Sequence, residues 1–163
     1  MSDARRMTHL DAAGRARMVD TGSKTPTARR ARARGEVHLS AEALRCVREG
    51  DLPKGDVLGV ARLAGIQAAK QTAQLIPLCH VLPLDHVDVD IREEPERGCL
   101  VIESSASCRA ATGVEMEAVV AVLIAAATIY DMCKAVDRGM RISDVELVEK
   151  TGGRSGTWNK PER

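Results

Sequence analysis

The chain has 163 residues and a formal charge of +1, enough for one domain and too little for two of substance. A domain of this length hides roughly two thirds of its unfolded surface, so it needs no covalent or metal staples. With no Phe, one Trp (Trp158) and one Tyr (Tyr130), it lacks both the basic excess and the aromatic platforms of a nucleic-acid binder.

Residues 1–35 read as a largely irregular polar arm. It ends in the basic run Arg29-Arg30-Ala31-Arg32-Ala33-Arg34-Gly35, a solvated segment or a flexible lid that meets phosphate. Residues 36–39 form a short strand. Ser40 then offers an N-cap to a helix that ends at Glu49 and is closed by Gly50. The turn Asp51-Leu-Pro-Lys-Gly55 leads to Asp56, which caps a second helix. Val57, Val60, Ala61, Ala64, Ala68 and Thr72 supply its apolar face, and Pro77 ends any continuation. Residues 86–92 alternate, Val87, Val89 and Ile91 on one side and Asp88, Asp90 and Arg92 on the other, as a half-buried strand does. A turn over 94–98 joins it to a hairpin partner, 99–108. Thr112-Gly-Val-Glu115 fits a capping box, opening a helix that runs to about Val136. Residues 142–149 make a final strand, and 151–163 a flexible tail. Strand, helices, strand, strand, helix, strand is the order of an α+β, ferredoxin-like plait (βαββαβ), an antiparallel sheet with helices on one face.

The five cysteines, Cys46, Cys79, Cys99, Cys108 and Cys133, form no CxxC pair. They read as buried thiols of a reducing compartment. The basic start has no apolar stretch behind it, and the longest uncharged apolar run, 118–130, is far short of the roughly 20 residues that span a bilayer. The expected location is the cytoplasm.

The last helix carries the strongest functional signal. Over 118–130 it is apolar on every side, so every side must be covered; a second subunit is the economical cover. Glu117 and Asp131 lie near one face but about 21 Å apart along the axis at the rise of an α-helix. One small ligand cannot easily touch both, so a shared pocket would join the start of one copy to the end of another.

Asp131 and Lys134, three apart on a helix, face each other among apolar neighbours, as a surface ion pair or as a proton-transfer pair. Glu115 serves the capping box, whereas Glu117 has no such structural role. The Cys79-His80 dipeptide is weak as a metal site and weak as a catalytic dyad. Lys54 sits in a turn. The loop Lys150-Thr-Gly-Gly-Arg-Ser-Gly156 has the amides and cations to cradle phosphate but not the order of a P-loop.

Taken in order, Met7-Thr-His-Leu-Asp11, Arg17-Met-Val-Asp20, Lys54-Gly-Asp56, Ala64-Gly-Ile-Gln-Ala-Ala-Lys70, Leu75-Ile-Pro-Leu-Cys-His80, Thr112-Gly-Val-Glu-Met-Glu-Ala118, Thr128-Ile-Tyr-Asp-Met-Cys-Lys-Ala135 and Lys150-Thr-Gly-Gly-Arg-Ser-Gly156 resemble the cyclic pyranopterin monophosphate synthase family, protein C of molybdenum cofactor biosynthesis. The resemblance covers nearly the whole chain. It implies a ferredoxin-like homohexamer, a trimer of dimers with sites at subunit interfaces. It implies a phosphorus–oxygen lyase that turns 3′,8-cyclo-7,8-dihydroguanosine 5′-triphosphate into cyclic pyranopterin monophosphate and diphosphate. No resident cofactor is implied; Mg²⁺ with the triphosphate stays open.

The family's active-site positions fall on Asp131, Lys134 and Lys54, here assigned acid–base chemistry. They also fall on Leu78, Cys79, His80, Glu115, Met116, Glu117, Lys150 and Arg29 as substrate contacts. Glu115 and Glu117 would hold the guanine-like edge, and His80, Arg29 and Lys150 the triphosphate. Two departures stand out: Val81 follows His80 where many members have proline, and Ala111 precedes Thr112 where lysine is common. The rivals are a non-catalytic small-molecule sensor on the same plait and an RNA-binding module, the latter disfavoured by the missing sheet aromatics.

Overall fold

The computed structural model of the chain describes residues 13–161. The Met7-to-Asp11 motif lies outside them. The first strand, β1 (Thr27–His38), begins at Thr27 rather than Glu36, which corrects the irregular-arm reading of the basic run. The physical reason is the two-residue period hidden in that run. Ala31 and Ala33 are buried on the helical side, while Arg32 on the other side reaches Glu103 at 3.7 Å and Glu149 at 3.6 Å. A Cβ on Gly35 would stand 2.6 Å from Val122 Cγ1, so a helix presses on the strand there.

The other strands are β2 (His86–Glu94), β3 (Cys99–Ala110), β4 (Arg141–Thr151) and β5 (Trp158–Asn159). They form one sheet in the order β2-β3-β1-β4-β5, with every pairing antiparallel. The expected plait is present, with β5 added inside what read as a flexible tail. Arg62 Nε donates to the Val89 carbonyl at 3.0 Å, engaging a backbone acceptor on the edge strand that could otherwise invite another chain.

Four helices lie on one face: α1 (Ala41–Glu49), α2 (Val57–Lys70), α3 (Thr72–Leu75) and α4 (Glu115–Cys133). Ser40 and Asp56 cap α1 and α2 as expected, accepting from Ala43 N at 3.2 Å and Gly59 N at 2.9 Å. Val60, placed on the apolar face of α2, is instead 44% exposed; Gly65 takes the inner position.

α4 lies across the sheet. Ser104 Oγ donates to its Ala118 carbonyl at 2.7 Å, and α2 covers a second side. A Cβ on Gly65 would come within 2.8 Å of the Ala121 carbonyl, so glycine there lets the two helices approach closely. The chain therefore covers more of α4 than its composition suggested. Met116, Leu123 and Ile124 remain exposed along one stripe of α4, and Val60 and Leu63 on α2. By length and composition α4 is the one described helix able to cross a membrane, yet 56% of that window is buried within this fold. It packs as the core helix of this fold.

The start of α4 also differs from expectation. Its N-cap is Val114, with no side-chain cap, and Glu115 is the first helical residue. A capping box needs its acid three positions after the cap, so Thr112 and Glu115 cannot form one. Glu115 is thereby released for another partner.

Candidate active site

The candidate residues gather at the two ends of α4. At its start, the 112–114 loop, the first helical turn, the 78–80 loop after α3, the beginning of β1 and the end of β4 meet around two adjoining cavities. The larger, of about 810 Å³, is lined by Arg29, Glu115 and Lys150. The smaller, of about 450 Å³, is lined by Leu78, Cys79, His80, Met116 and Glu117. Lys24, Thr112, Gly113 and Glu115 border both. All eight residues read as substrate contacts are thus brought together.

Four of them are held by identifiable side-chain contacts. Glu115 Oε1 lies 3.3 Å from Lys150 Nζ, which also donates to Ser155 Oγ at 3.1 Å. Arg29 Nε donates to the Ala110 carbonyl at 3.2 Å. The His80 Nε2 proton is donated to the Val19 carbonyl at 2.8 Å; because a carbonyl only accepts, this fixes the proton on Nε2 and leaves Nδ1 as the second ring nitrogen. The bond also ties the 19–24 segment to the cavity wall.

Glu117 is only 4% exposed. Burial pushes its carboxyl up from the ordinary range, against a backbone hydrogen bond that lowers it, and the neighbouring Glu115 charge adds to the rise. Burial and the Glu117 charge likewise push the Cys79 thiol up. Neither group favours an extra negative charge.

At the other end, Lys54, Asp131 and Lys134 line a separate cavity of about 460 Å³ with Tyr130 and Arg138. Lys134 Nζ donates to Asp131 Oδ1 at 2.7 Å. Lys54 Nζ donates to Asp131 Oδ2 and, at 3.1 Å, to the Asp131 carbonyl. The turn that delivers Lys54 closes with Gly55 N donating to the Leu52 carbonyl at 3.0 Å. Hydrogen bonds from Lys134 and then Lys54 hold the Asp131 carboxyl down to about 2. All three side chains are well exposed. The arrangement sets two ammonium groups, which can deliver protons, around one carboxylate, which can accept one.

Among the described residues one His/Cys/carboxylate cluster, Glu36, His38 and Cys99, places candidate ligand atoms within 4.8 Å of one another. It lies outside both groups, and the Glu36 carboxylate is already held by Arg34 at 2.8 Å and Arg97 at 2.6 Å.

Residues 18–153 match the model of the MoaC family. The chain belongs to the MoaC family. It is 58% identical over 162 residues to a cyclic pyranopterin monophosphate synthase of Chloroflexus aurantiacus, covering 99% of each chain. A Thermomicrobium roseum protein of the same name is 58% identical over 156 residues, 96% of this chain and 94% of its own. One from Methylobacterium nodulans is 55% identical over 152, covering 93% and 95%.

Within this MoaC-family chain the sequence reading passed over Lys24, which borders both cavities at the start of α4. It sits in an irregular stretch with no periodicity to mark it, and only the tertiary fold places it beside Glu115. Arg154 stood inside a recognised loop but was assigned no role; it too lines the larger cavity.

Proposed function

We propose that the chain is a cyclic pyranopterin monophosphate synthase, a lyase of molybdenum cofactor biosynthesis acting on 3′,8-cyclo-7,8-dihydroguanosine 5′-triphosphate. The observation that carries this is the division of charged groups between the two ends of α4. One end has cations for a polyphosphate and a buried carboxyl for a polar ring edge; the other has a proton-handling Lys-Asp-Lys group.

The cyclic phosphate forms when a substrate hydroxyl oxygen bonds to the α-phosphorus as the bond from that phosphorus to the bridging oxygen breaks. Diphosphate leaves with the electron pair, and the hydroxyl proton passes to a base. Arg29, His80 and Lys150 offset the phosphate charge. Glu115, Met116, Glu117, Leu78 and Cys79 receive the ring system. With its carboxyl held near 2, Asp131 is ionised throughout the neutral range. It holds the Lys54 and Lys134 ammonium groups in place, and those groups supply protons to the ring system.

The exposed stripe of α4 supports a shared site. Met116, Leu123 and Ile124 lie on the same side of the helix as Asp131 and Lys134. A second copy laid antiparallel on this stripe covers the apolar residues and sets its own Asp131 beside Met116 and Glu117. A trimer of such dimers gives the hexamer, and the cytoplasm is the fitting compartment. The chemistry needs no resident cofactor; any Mg²⁺ enters with the triphosphate.

Mixing two inactive variants tests the reading. Glu117→Gln spoils one end and Asp131→Asn the other. Unfolded and refolded together, random pairs leave about a quarter of the sites with both ends intact, so pterin formation returns to that fraction of wild type. No recovery would place both ends of each site in one copy. A wild-type protein that binds the nucleotide yet forms neither pterin nor pyrophosphate would be a sensor.

A further inference from the structure

The Lys54-Asp131-Lys134 group is assembled from two parts of the chain. Asp131 lies in the last turn of α4 and Lys134 is its C-cap, whereas Lys54 comes from the turn that follows α1. The geometry of the group therefore depends on how the exit of α4 is fixed against α1. Ala43, Leu44 and Cys46 bury one side of α1, but apolar contact is non-directional and does not by itself set a register between two elements.

A directional tie is present at Asp137, in the turn after α4. Its Oδ2 accepts from Ser40 N, at the N-cap of α1, at 2.7 Å, and its Oδ1 accepts from Gly139 N at 2.7 Å. One oxygen thus grips the entry of α1 while the other closes the turn. Those two amides hold the Asp137 carboxyl below the usual carboxylate range, so it is an anion at neutral pH and both bonds are charge-assisted. The turn is also drawn onto its helix. Val136 N and Asp137 N donate to the Cys133 carbonyl at 2.9 and 3.1 Å, and the Tyr130 hydroxyl donates to the Arg138 carbonyl at 3.2 Å. Tyr130, Ala135 and Arg138 line the cavity with Lys54, Asp131 and Lys134, so this turn is part of the cavity wall. At its other end α1 is closed by Gly50, with Asp51 N donating to the Cys46 carbonyl at 3.0 Å. Lys54 follows in the next turn and reaches back to Asp131. The path from Asp137 through α1 to Lys54 returns to the helix end where it began.

We propose that Asp137 is a positioning residue for the Lys54-Asp131-Lys134 group, fixing the exit of α4 against the entry of α1 so that both ammonium groups meet one carboxylate. The inference rests on the function proposed above and adds a residue that does not itself line the cavity. Asp137 acts on turnover through the three residues that do. Displacing a reacting group by about 1 Å can cost about 10²-fold in rate, so a tie of this kind matters to chemistry as well as to folding.

The test is a double-substitution cycle on the full-length protein. Asp137→Ala should lower kcat for pterin formation, per folded molecule, about tenfold with KM within about twofold. Asp137→Asn, whose amide oxygen keeps one of the two bonds, should lose less. In an Asp131→Asn background, Asp137→Ala should cost less than about twofold, because the group it positions is already dismantled. Equal factors in the two backgrounds, or an unchanged kcat in Asp137→Ala, overturn the proposal. Asp137→Asn takes the same place in the cycle if the alanine variant does not fold.

A second readout needs no substrate. Acylation by an amine-reactive ester, followed residue by residue in a mass spectrometer, should be about twofold faster or more at Lys54 and Lys134 in Asp137→Ala, since local opening frees ammonium groups held in an ion pair. Lys24, at the other end of α4, should be unchanged. Uniform acceleration at all three marks general loosening of the fold, and no acceleration leaves the group intact; either overturns the proposal. Wild-type protein that forms no pterin refutes the enzymatic reading alone, and the acylation rates then decide the positioning.

Discussion

The two ends of α4 solve opposite electrostatic problems. At the start, Glu117 is a carboxyl withdrawn from water, its ionisation made harder by burial and by Glu115. At the finish, Asp131 is a carboxyl left in the open, its ionisation made easier by Lys134 and Lys54. One helix thus carries an acid that resists losing its proton and an acid that cannot keep one. Environment, not residue type, sets what each can do. Opposite shifts in like groups are what a site needs when it must both recognise a neutral polar edge and steady mobile protons.

The largest expected effect is at the exposed end. Asp131→Asn keeps the shape and removes the anion that positions both lysines, so pterin formation should fall about 10²- to 10⁴-fold. The melting temperature should stay within about 2 °C, because exposed ion pairs stabilise little. A loss below tenfold in product formation would break the assignment of chemistry to this end.

A second substitution acts on the rod that joins the ends. Gly35→Ala drives a Cβ toward Val122 Cγ1, 2.6 Å away in the present packing, and such overpacking costs about 1–3 kcal/mol. Urea unfolding should show that loss, with activity per folded molecule reduced because both ends shift with α4. Full stability in this variant would mean the helix is not pressed onto β1.

The third contrast is in pH. Because the folded Glu117 carboxyl is raised above its ordinary 4.5, the native state favours its protonated form. That contribution is complete below about 4.5 and is lost as pH rises through the folded value. Glu117→Gln has no proton to lose, so its melting temperature should gain on wild type as pH rises from 4 to 8. Asp131 has the opposite sign: its depressed carboxyl favours folding above its ordinary 3.8, and this fades as pH falls toward about 2. A melting-temperature series with both variants separates the two, and parallel curves would erase the contrast.

The smallest effect serves as a baseline. Arg32→Ala removes exposed pairs to Glu103 and Glu149 on the far side of the sheet and should change stability by less than about 0.5 kcal/mol, with activity unchanged. A marked loss of activity would extend the site to a face where none of the candidate residues lies.

Much of this architecture is written in short stretches of the sequence. Ser40 and Asp56 announced two helix starts because short polar side chains satisfy free amides, and the Val/Asp alternation of 86–92 announced β2 because side chains in a strand alternate faces. The basic run hides a strand because its charge masks the alternating alanines, Ala31 and Ala33, which are buried on the helical side. Thr112 and Glu115 had the spacing of a capping box, but spacing alone does not say which residue the helix begins on; Val114 took that position. Lys24 had no signal to find, since a lysine in an irregular segment is usually solvated.

The order of elements, the antiparallel plait and the concentration of charge at both ends of one apolar helix are legible from the residues alone, because they depend on periodicity and residue type within short windows. Packing between distant segments sets the rest: α2 covers one side of that helix, Glu117 is buried while Asp131 is exposed, and Lys24, Arg29 and Arg154 share a cavity. Those outcomes depend on contacts between distant segments, and the ionisation of each group follows from the solvent and neighbours such contacts leave it.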